Sequence, residues 1–362
     1  MREQRITFSI SGLLLIVASV LSIVVLWQLQ SLLIILMISV VLAASISPLV
    51  ETAERWHIPR WLGTIVVYLT LLSGLTGVGL LLGPAVTEQI QLLVKGLPVY
   101  AEKLIAVASD TITRWNDIPS DIFEFFDVQQ FTSWLFRSSQ QLVLRSYSIT
   151  RGILGAAISL ILSLFISGYM VADSQTLVRS VVRLFPQPWE ERLAAQVPII
   201  SYRMGSYIRG RLLVSLILGI ATTVGLGFLG LREFSLGLGV IAGVTNLIPF
   251  IGPVLGAIPA LVVAIAAGGW KFLWILLFFV AIQNIETYVL DPFLVGSSVG
   301  LHPLYQLLAV VGGTQILGII GALIVPPWMA GAAALIENLY LEPKQRAEQK
   351  TIVISPETNM PQ

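Results

Sequence analysis

Residues 7–29 include no charged side chain, and stretches of this kind fill most of the chain. About 20 apolar residues in a helix cross the roughly 30 Å hydrocarbon core of a bilayer. This run and its successors therefore decide what the chain can fold into. The successors are 31–50, 61–83, 152–172, 212–231, 234–267, 272–290 and 304–335. They predict an all-α polytopic membrane protein with about eight transmembrane helices, some of them broken or re-entrant. As a single helix, 234–267 would be about 50 Å long, and Pro and Gly interrupt its middle. Arg2 and Arg5 precede the first run as in a secretory signal. That run is longer than a signal core and ends without a small-residue cleavage motif, so it reads as an uncleaved helix.

Composition supports the same class. Charged residues are 11% of the chain, less than half the roughly 25% of soluble domains, and mean hydropathy is +0.87. An ordinary water-soluble enzyme is excluded. Twenty-one Lys and Arg against twenty Asp and Glu leave +1, no electrostatic basis for binding nucleic acid. The chain has no Cys and only two His, His57 and His302, which leaves neither thiolate chemistry nor a histidine-built metal site. With no phosphate-binding loop or nucleophile elbow either, the expectation is no enzyme, no cofactor and no metal. The expected partners are the bilayer and a small polar solute or ion.

Lys and Arg between the spans set orientation. Arg2 and Arg5, then Arg55 and Arg60, then six Arg in 173–211 (179, 183, 192, 203, 209 and 211), then Lys344, Arg346 and Lys350 fall on one side if eight crossings separate them. That side is the cytoplasm, with both termini on it, and the stretch 291–303 falls on the other. The domains read as 1–83 (three spans), 84–151 (extramembrane), 152–172 (a fourth span), 173–211 (a basic cytoplasmic linker, helical from Trp189), 212–340 (a core with broken helices) and 341–362 (a disordered polar tail). Within 84–151, Val86, Ile90, Leu93, Leu97, Ala101 and Leu104 recur at steps of three and four, an amphipathic helix with a kink expected at Pro98. A turn at 116–121 and a second amphipathic helix from Val128 to Ile149 follow. The stripes suit packing on each other, on another subunit or on the lipid surface.

Irregular backbone at membrane depth is tolerated only where protein or a cavity satisfies it, so broken runs are the candidate sites. Asn246, Pro249, Gly252 and Pro253 lie in one, and Pro249, Pro253 and Pro259 are each expected to free a carbonyl one turn earlier. Freed carbonyls and half-helix ends are what transporters use to hold ions and polar solutes. Gln283, Asn284, Glu286 and Thr287, followed by Asp291, put a polar stripe on the next span, and an ionisable group there is a functional candidate by default. Asp291 is expected at the interface in water. Glu286, one turn deeper and partly desolvated, is the candidate proton-exchanging group. Gln315 lies in a third interrupted run, 312–327, whose Gly321-Ala-Leu-Ile-Val-Pro326 loosely echoes Gly256-Ala-Ile-Pro259.

Tyr207-Ile-Arg-Gly-Arg-Leu-Leu, Asn246-Leu-Ile-Pro-Phe-Ile-Gly-Pro-Val-Leu-Gly-Ala-Ile-Pro259 and Asp291-Pro-Phe-Leu-Val-Gly-Ser-Ser-Val-Gly-Leu-His-Pro303 resemble the autoinducer-2 exporter family of permeases. The resemblance covers nearly the whole chain. It implies a bacterial inner-membrane transporter that exports a small polar solute such as autoinducer-2 or exchanges ions, as in sodium/proton antiport, and that assembles as a homo-oligomer. Independently of it, broken helices beside a buried polar stripe, with no nucleotide-binding domain, point to a secondary transporter driven by a cation gradient. Two alternatives stay open: a passive channel, and a membrane scaffold acting through 84–151.

Overall fold

The computed structural model describes residues 10–114, 146–296, 300 and 302–354, and no strand occurs among them. The first two apolar runs form α1 (Ile10–Gln28) and α2 (Gln30–Arg55). The third opens α3 (Arg60–Arg114), 55 residues that pass through Pro84 and Pro98 without a break. At 1.5 Å per residue α3 is about 80 Å long, so the first part of 84–151 continues a membrane span. The expected turn at 116–121 and the second amphipathic stripe up to residue 145 lie outside the described residues. Then come α4 (Ser146–Ala172), the short α5 (Ser174–Val182) and α6 (Trp189–Phe228). The expected linker is therefore mostly helix, and Arg203, Arg209 and Arg211 stand inside α6 rather than in a loop. The remaining helices are α7 (Ser235–Thr245), α8 (Ile251–Ala267), α9 (Lys271–Ile285), α10 (Pro303–Ile336) and α11 (Glu342–Ile354). α11 occupies part of the tail expected to be disordered, with the i,i+4 ion pairs Arg346–Glu342 (3.0 Å) and Lys344–Glu348 (3.8 Å) along it.

Among the described residues, five helical stretches are long and apolar enough to cross a membrane: Gln30–Arg55, Arg60–Tyr100, Trp189–Phe228, Lys271–Gly296 and Pro303–Gln349. Ile158–Ala172 and Ser174–Val182, bent by 85°, make a sixth if taken together. The expected eight is not reached, because two of the apolar runs fold back on themselves. Run 234–267 becomes α7 and α8, 11 and 17 residues long, joined by a turn at 246–250. A Cβ on Gly252 would strike the Thr245 carbonyl, and one on Gly256 would lie 2.8 Å from Ala242 Cα. Only glycine lets these arms close.

The last run turns at Gly318, whose φ of 65° and ψ of −150° are not helical. Gly313 and Gly321 would be about 12 Å apart along a straight helix, yet a Cβ on either would strike the other's carbonyl. Gln306 on one arm bonds Tyr207 (3.2 Å), and Ala330 on the other packs against the same tyrosine. α10 is thus a second helical hairpin.

These hairpins alter the expected topology. α6 runs antiparallel to α9 and its extension. Gly230 faces Lys271, Gly225 faces Phe278, Gly210 faces Leu294, and Gly300 faces Arg203. Residues 291–303 therefore lie at the Arg203 end of α6, not at the opposite end as expected. The cause is parity: 234–267 returns to the end it entered from, which displaces the next connection. The second hairpin also returns, so Glu337 meets Arg203 (2.7 Å) and Asn338 meets Gln196 (2.7 Å).

The α7–α8 hairpin is held on two sides. Gly219 on α6 faces Gly239 and Gly243 on α7 at backbone contact. At its outer ends α3 supplies what the helix termini lack: Gln89 Oε1 accepts from Gly237 N–H (2.7 Å) at the start of α7, and Lys103 Nζ donates to the Ala266 carbonyl (3.0 Å) at the end of α8. Leu93 packs between them against Leu226, Leu231 and Leu238. At the other end of α6, Arg209 Nη1 donates to the Ala44 and Ser45 carbonyls of α2 (3.3 and 3.0 Å). Pro48 has no N–H to offer the Ala44 carbonyl, and Arg209 replaces it.

The chain has no native Cys, so single-cysteine labelling tests this arrangement directly. Cysteines at Ser180 and His302 should react with an impermeant thiol reagent from the same side, and one at Trp270 from the other; opposite labelling of 180 and 302 would restore the eight-span topology. With Gln89→Ala and Lys103→Met combined, a cysteine at Phe250 on the hairpin turn should label several-fold faster than in the parent, without loss of the purified protein's folded state.

Candidate functional site

The buried face of α6 reads Met204, Tyr207, Arg211, Val214, Leu218 and Thr222. Arg211 is in phase with this face and 2% exposed. A guanidinium there must be paired, since an uncompensated buried charge costs several kcal/mol. Its Nη2 lies 3.0 Å from Glu286 Oε1 and its Nη1 lies 3.1 Å from Asp291 Oδ1. Nη2 also donates to Asn246 Oδ1 (3.3 Å) at the end of α7. Glu286 and Asn246 are as buried as the arginine, at 3% and 2%, while the Asp291 side chain is 37% exposed.

Helix geometry explains why two carboxylates five residues apart reach one arginine. On an α-helix they would point about 140° apart. Here Glu286–Leu290 and Pro292–Gly296 are π-helical, with i→i+5 hydrogen bonding that stacks residues five apart. The same winding separates the expected stripe. Glu286 turns inward, whereas Thr287 and Asn284 are exposed and Gln283 is half-buried. Asn284 bonds back to the Val280 carbonyl (2.7 Å) and Gln283 reaches only Thr287 (3.5 Å). Gln315 is exposed near the turn of the second hairpin and does not join the cluster.

Asn246, Pro249 and Gly252 are buried at the first hairpin's turn, and Pro253 is half-buried beside them. The expectation that each proline frees a carbonyl one turn earlier holds only for Pro259, which is inside α8. Pro249 lies in the turn, and Pro253 lies in the first turn of α8, where N–H groups have no intrahelical partner anyway. Strain sits instead at Phe250, whose φ of 64° is rare for a side chain with a Cβ.

Four buried side-chain atoms among the described residues lack a hydrogen-bond partner, and three belong here or one turn away: Arg211 Nε, Asn246 Nδ2 and Ser215 Oγ. Each costs roughly 1–3 kcal/mol while unsatisfied. The cluster also carries one positive and two negative charges. It can therefore accept a further positive charge, and it offers unused donors to a polar group. Among the described residues no three acidic or histidine side chains come together to hold a metal.

Sequence reasoning found Asn246 and Glu286 but missed Arg211, which it counted with the linker arginines. The available signal was phase: Arg211 recurs with Tyr207, Val214 and Leu218 at helical spacing, and an acid inside a span needs a partner.

Comparisons with known proteins place this arrangement in context. The family model described as AI-2E family transporter matches residues 15–341. The Bacillus subtilis (strain 168) protein named "Putative transport protein YrrI" is 30% identical over 81% of this chain and 82% of its own length. YueF of the same strain, also named as a transport protein, is 27% identical over 81% and 80%. The "AI-2 transport protein TqsA" of Escherichia coli (strain K12) is 24% identical over 79% and 80%.

Breaking a buried ion pair from one side costs about 3–5 kcal/mol, because the other charge stays buried and unpaired. Arg211→Met should therefore lower the thermal unfolding midpoint in detergent sharply. Adding Glu286→Met should recover part of the loss, and Asp291→Asn alone should be mild. Additive losses in the double variant would mean that Arg211 and Glu286 do not act as a pair.

Proposed function

This chain belongs to the AI-2E transporter family, and from that premise we propose that it exports a small polar solute, such as autoinducer-2, or exchanges ions, at the meeting point of the first hairpin and Arg211. The chain is a multi-pass membrane transporter. We place it in the inner membrane, with the Arg203 end of α6 and both termini in the cytoplasm, following the Lys and Arg distribution. The observation that carries the reading is the buried Arg211 shared by Glu286, Asp291 and the hairpin residue Asn246. A relative named as an AI-2 transport protein supports the solute class.

In this reading the described conformation is closed. Lifting the hairpin turn at Pro249, Gly252 and Pro253 moves Asn246 off Arg211 and opens the unused donors to the solute. The excess carboxylate takes up a proton or cation, which couples the step to a gradient. Glu286 thus acts as one of two acids sharing a guanidinium, not as an isolated acid. Gln315 and the face formed by Gln283, Asn284 and Thr287 line the path beyond the cluster or meet a second copy of the chain, since polar groups left toward lipid are costly.

Flux of a solute panel in proteoliposomes, with and without an imposed proton gradient, tests this. Glu286→Gln should fold normally and lose gradient-driven flux, while exchange at equal pH partly survives. Asn246→Ala should slow both at least tenfold. Unchanged flux and pH dependence in Glu286→Gln would remove the cluster from the transport step.

A further inference from the structure

The transport reading leaves α5 and the corner after it unexplained. α5 turns 85° from α4 at Asp173. A helix at right angles to a membrane-spanning one lies along the bilayer surface. Its sides differ in chemistry. Ser174, Leu177, Val178, Val181 and Val182 line an open apolar groove of about 490 Å³ whose other walls come from α2, α4 and α6, including Val40, Ile200 and Met204. Arg179 and Arg183 fall on the other side at helical spacing, and both are exposed. Leu184, Phe185 and Trp189 follow at the corner, also exposed, with the Arg192 guanidinium 5.7 Å from the Trp189 ring centre.

We propose that α5 is an interfacial anchor that binds anionic phospholipid: an acyl chain fills the groove beneath it, and Arg179 and Arg183 hold the headgroup phosphate. An apolar groove of this size does not hold ordered water, which needs polar partners. Its location beside a helix lying in the surface offers hydrocarbon as the occupant. The charge argument is local. Asp173, Glu190 and Glu191 flank α5 in sequence, but the helix itself contains Arg179 and no acid, and Arg183 caps its end. Arginine forms paired hydrogen bonds to phosphate, and basic residues near an anionic surface each strengthen attachment about fivefold. The groove joins α2 and α4 to α6, so a bound chain bridges the N-terminal helices and the helix that carries Arg211.

The test uses the full-length protein in detergent, titrated with long-chain phosphatidylglycerol, long-chain phosphatidylcholine or glycerol 3-phosphate while thermal unfolding is followed. Phosphatidylglycerol should raise the midpoint at lower concentration than phosphatidylcholine, and glycerol 3-phosphate should do nothing. Arg179→Gln and Arg183→Gln should each raise the half-effective phosphatidylglycerol concentration about fivefold, leaving the response to phosphatidylcholine unchanged. Arg179→Lys with Arg183→Lys should retain most of the preference and separates lost charge from misfolding. Equal responses to the two lipids, an undiminished preference in the Gln variants, or an equal response to glycerol 3-phosphate would each overturn the proposal. Because none of these readouts involves flux, the outcome is independent of whether Arg211 serves transport.

Discussion

Burying the Arg211 guanidinium inside a span requires partners that no single helix can supply. α6 provides the arginine, the stretch after α9 provides Glu286 and Asp291, and the turn after α7 provides Asn246. The antiparallel alignment of α6 and α9 and the depth of the first hairpin follow from meeting at that charge. Close backbone packing makes the meeting possible: Gly210 accepts the Leu294 carbonyl, and Gly219 accepts Gly239 and Gly243. Larger residues at these contacts would hold the acids out of reach.

Both hairpins solve one problem of a bilayer, where backbone groups must find partners inside the protein. The first does so with help from outside its own sequence, through Gln89 and Lys103 of α3. α3 itself has long stretches without neighbours, with Leu75, Leu80 and Leu81 at 71%, 74% and 80% exposure, as expected of a helix that passes lipid before reaching the hairpin. The extramembrane segment and the transport core are therefore joined by specific bonds.

The apolar runs were legible because a bilayer imposes a length and a composition that no packing detail overrides. What followed a break was harder to read. Proline and glycine signal a kink and a reversal alike, so 234–267 looked like one broken span. The reversal at Gly318 depends on one φ value among four nearby glycines, 312, 313, 318 and 321. Glu286 and Asn246 stood out as polar groups in apolar company. Arg211 did not, because it sits where basic residues normally mark the membrane edge, and its partners are 35 to 80 positions away. The π-helical winding had no local sequence signal at all. It reversed the expectation that Gln283 and Thr287 share the face of Glu286.

That winding also has a mechanical meaning. A π-helical turn holds one more residue than an α-helical turn, and relaxing one to α geometry twists everything beyond it by about 100°. The distance from Arg211 to Asp291 is thus a gauge of torsion in the helix. At the wound setting the arginine holds both acids, and at the unwound setting it retains only Glu286. The chain from Asp291 to the second hairpin would turn with it, so a change of charge at one guanidinium is converted into rotation of the last quarter of the molecule.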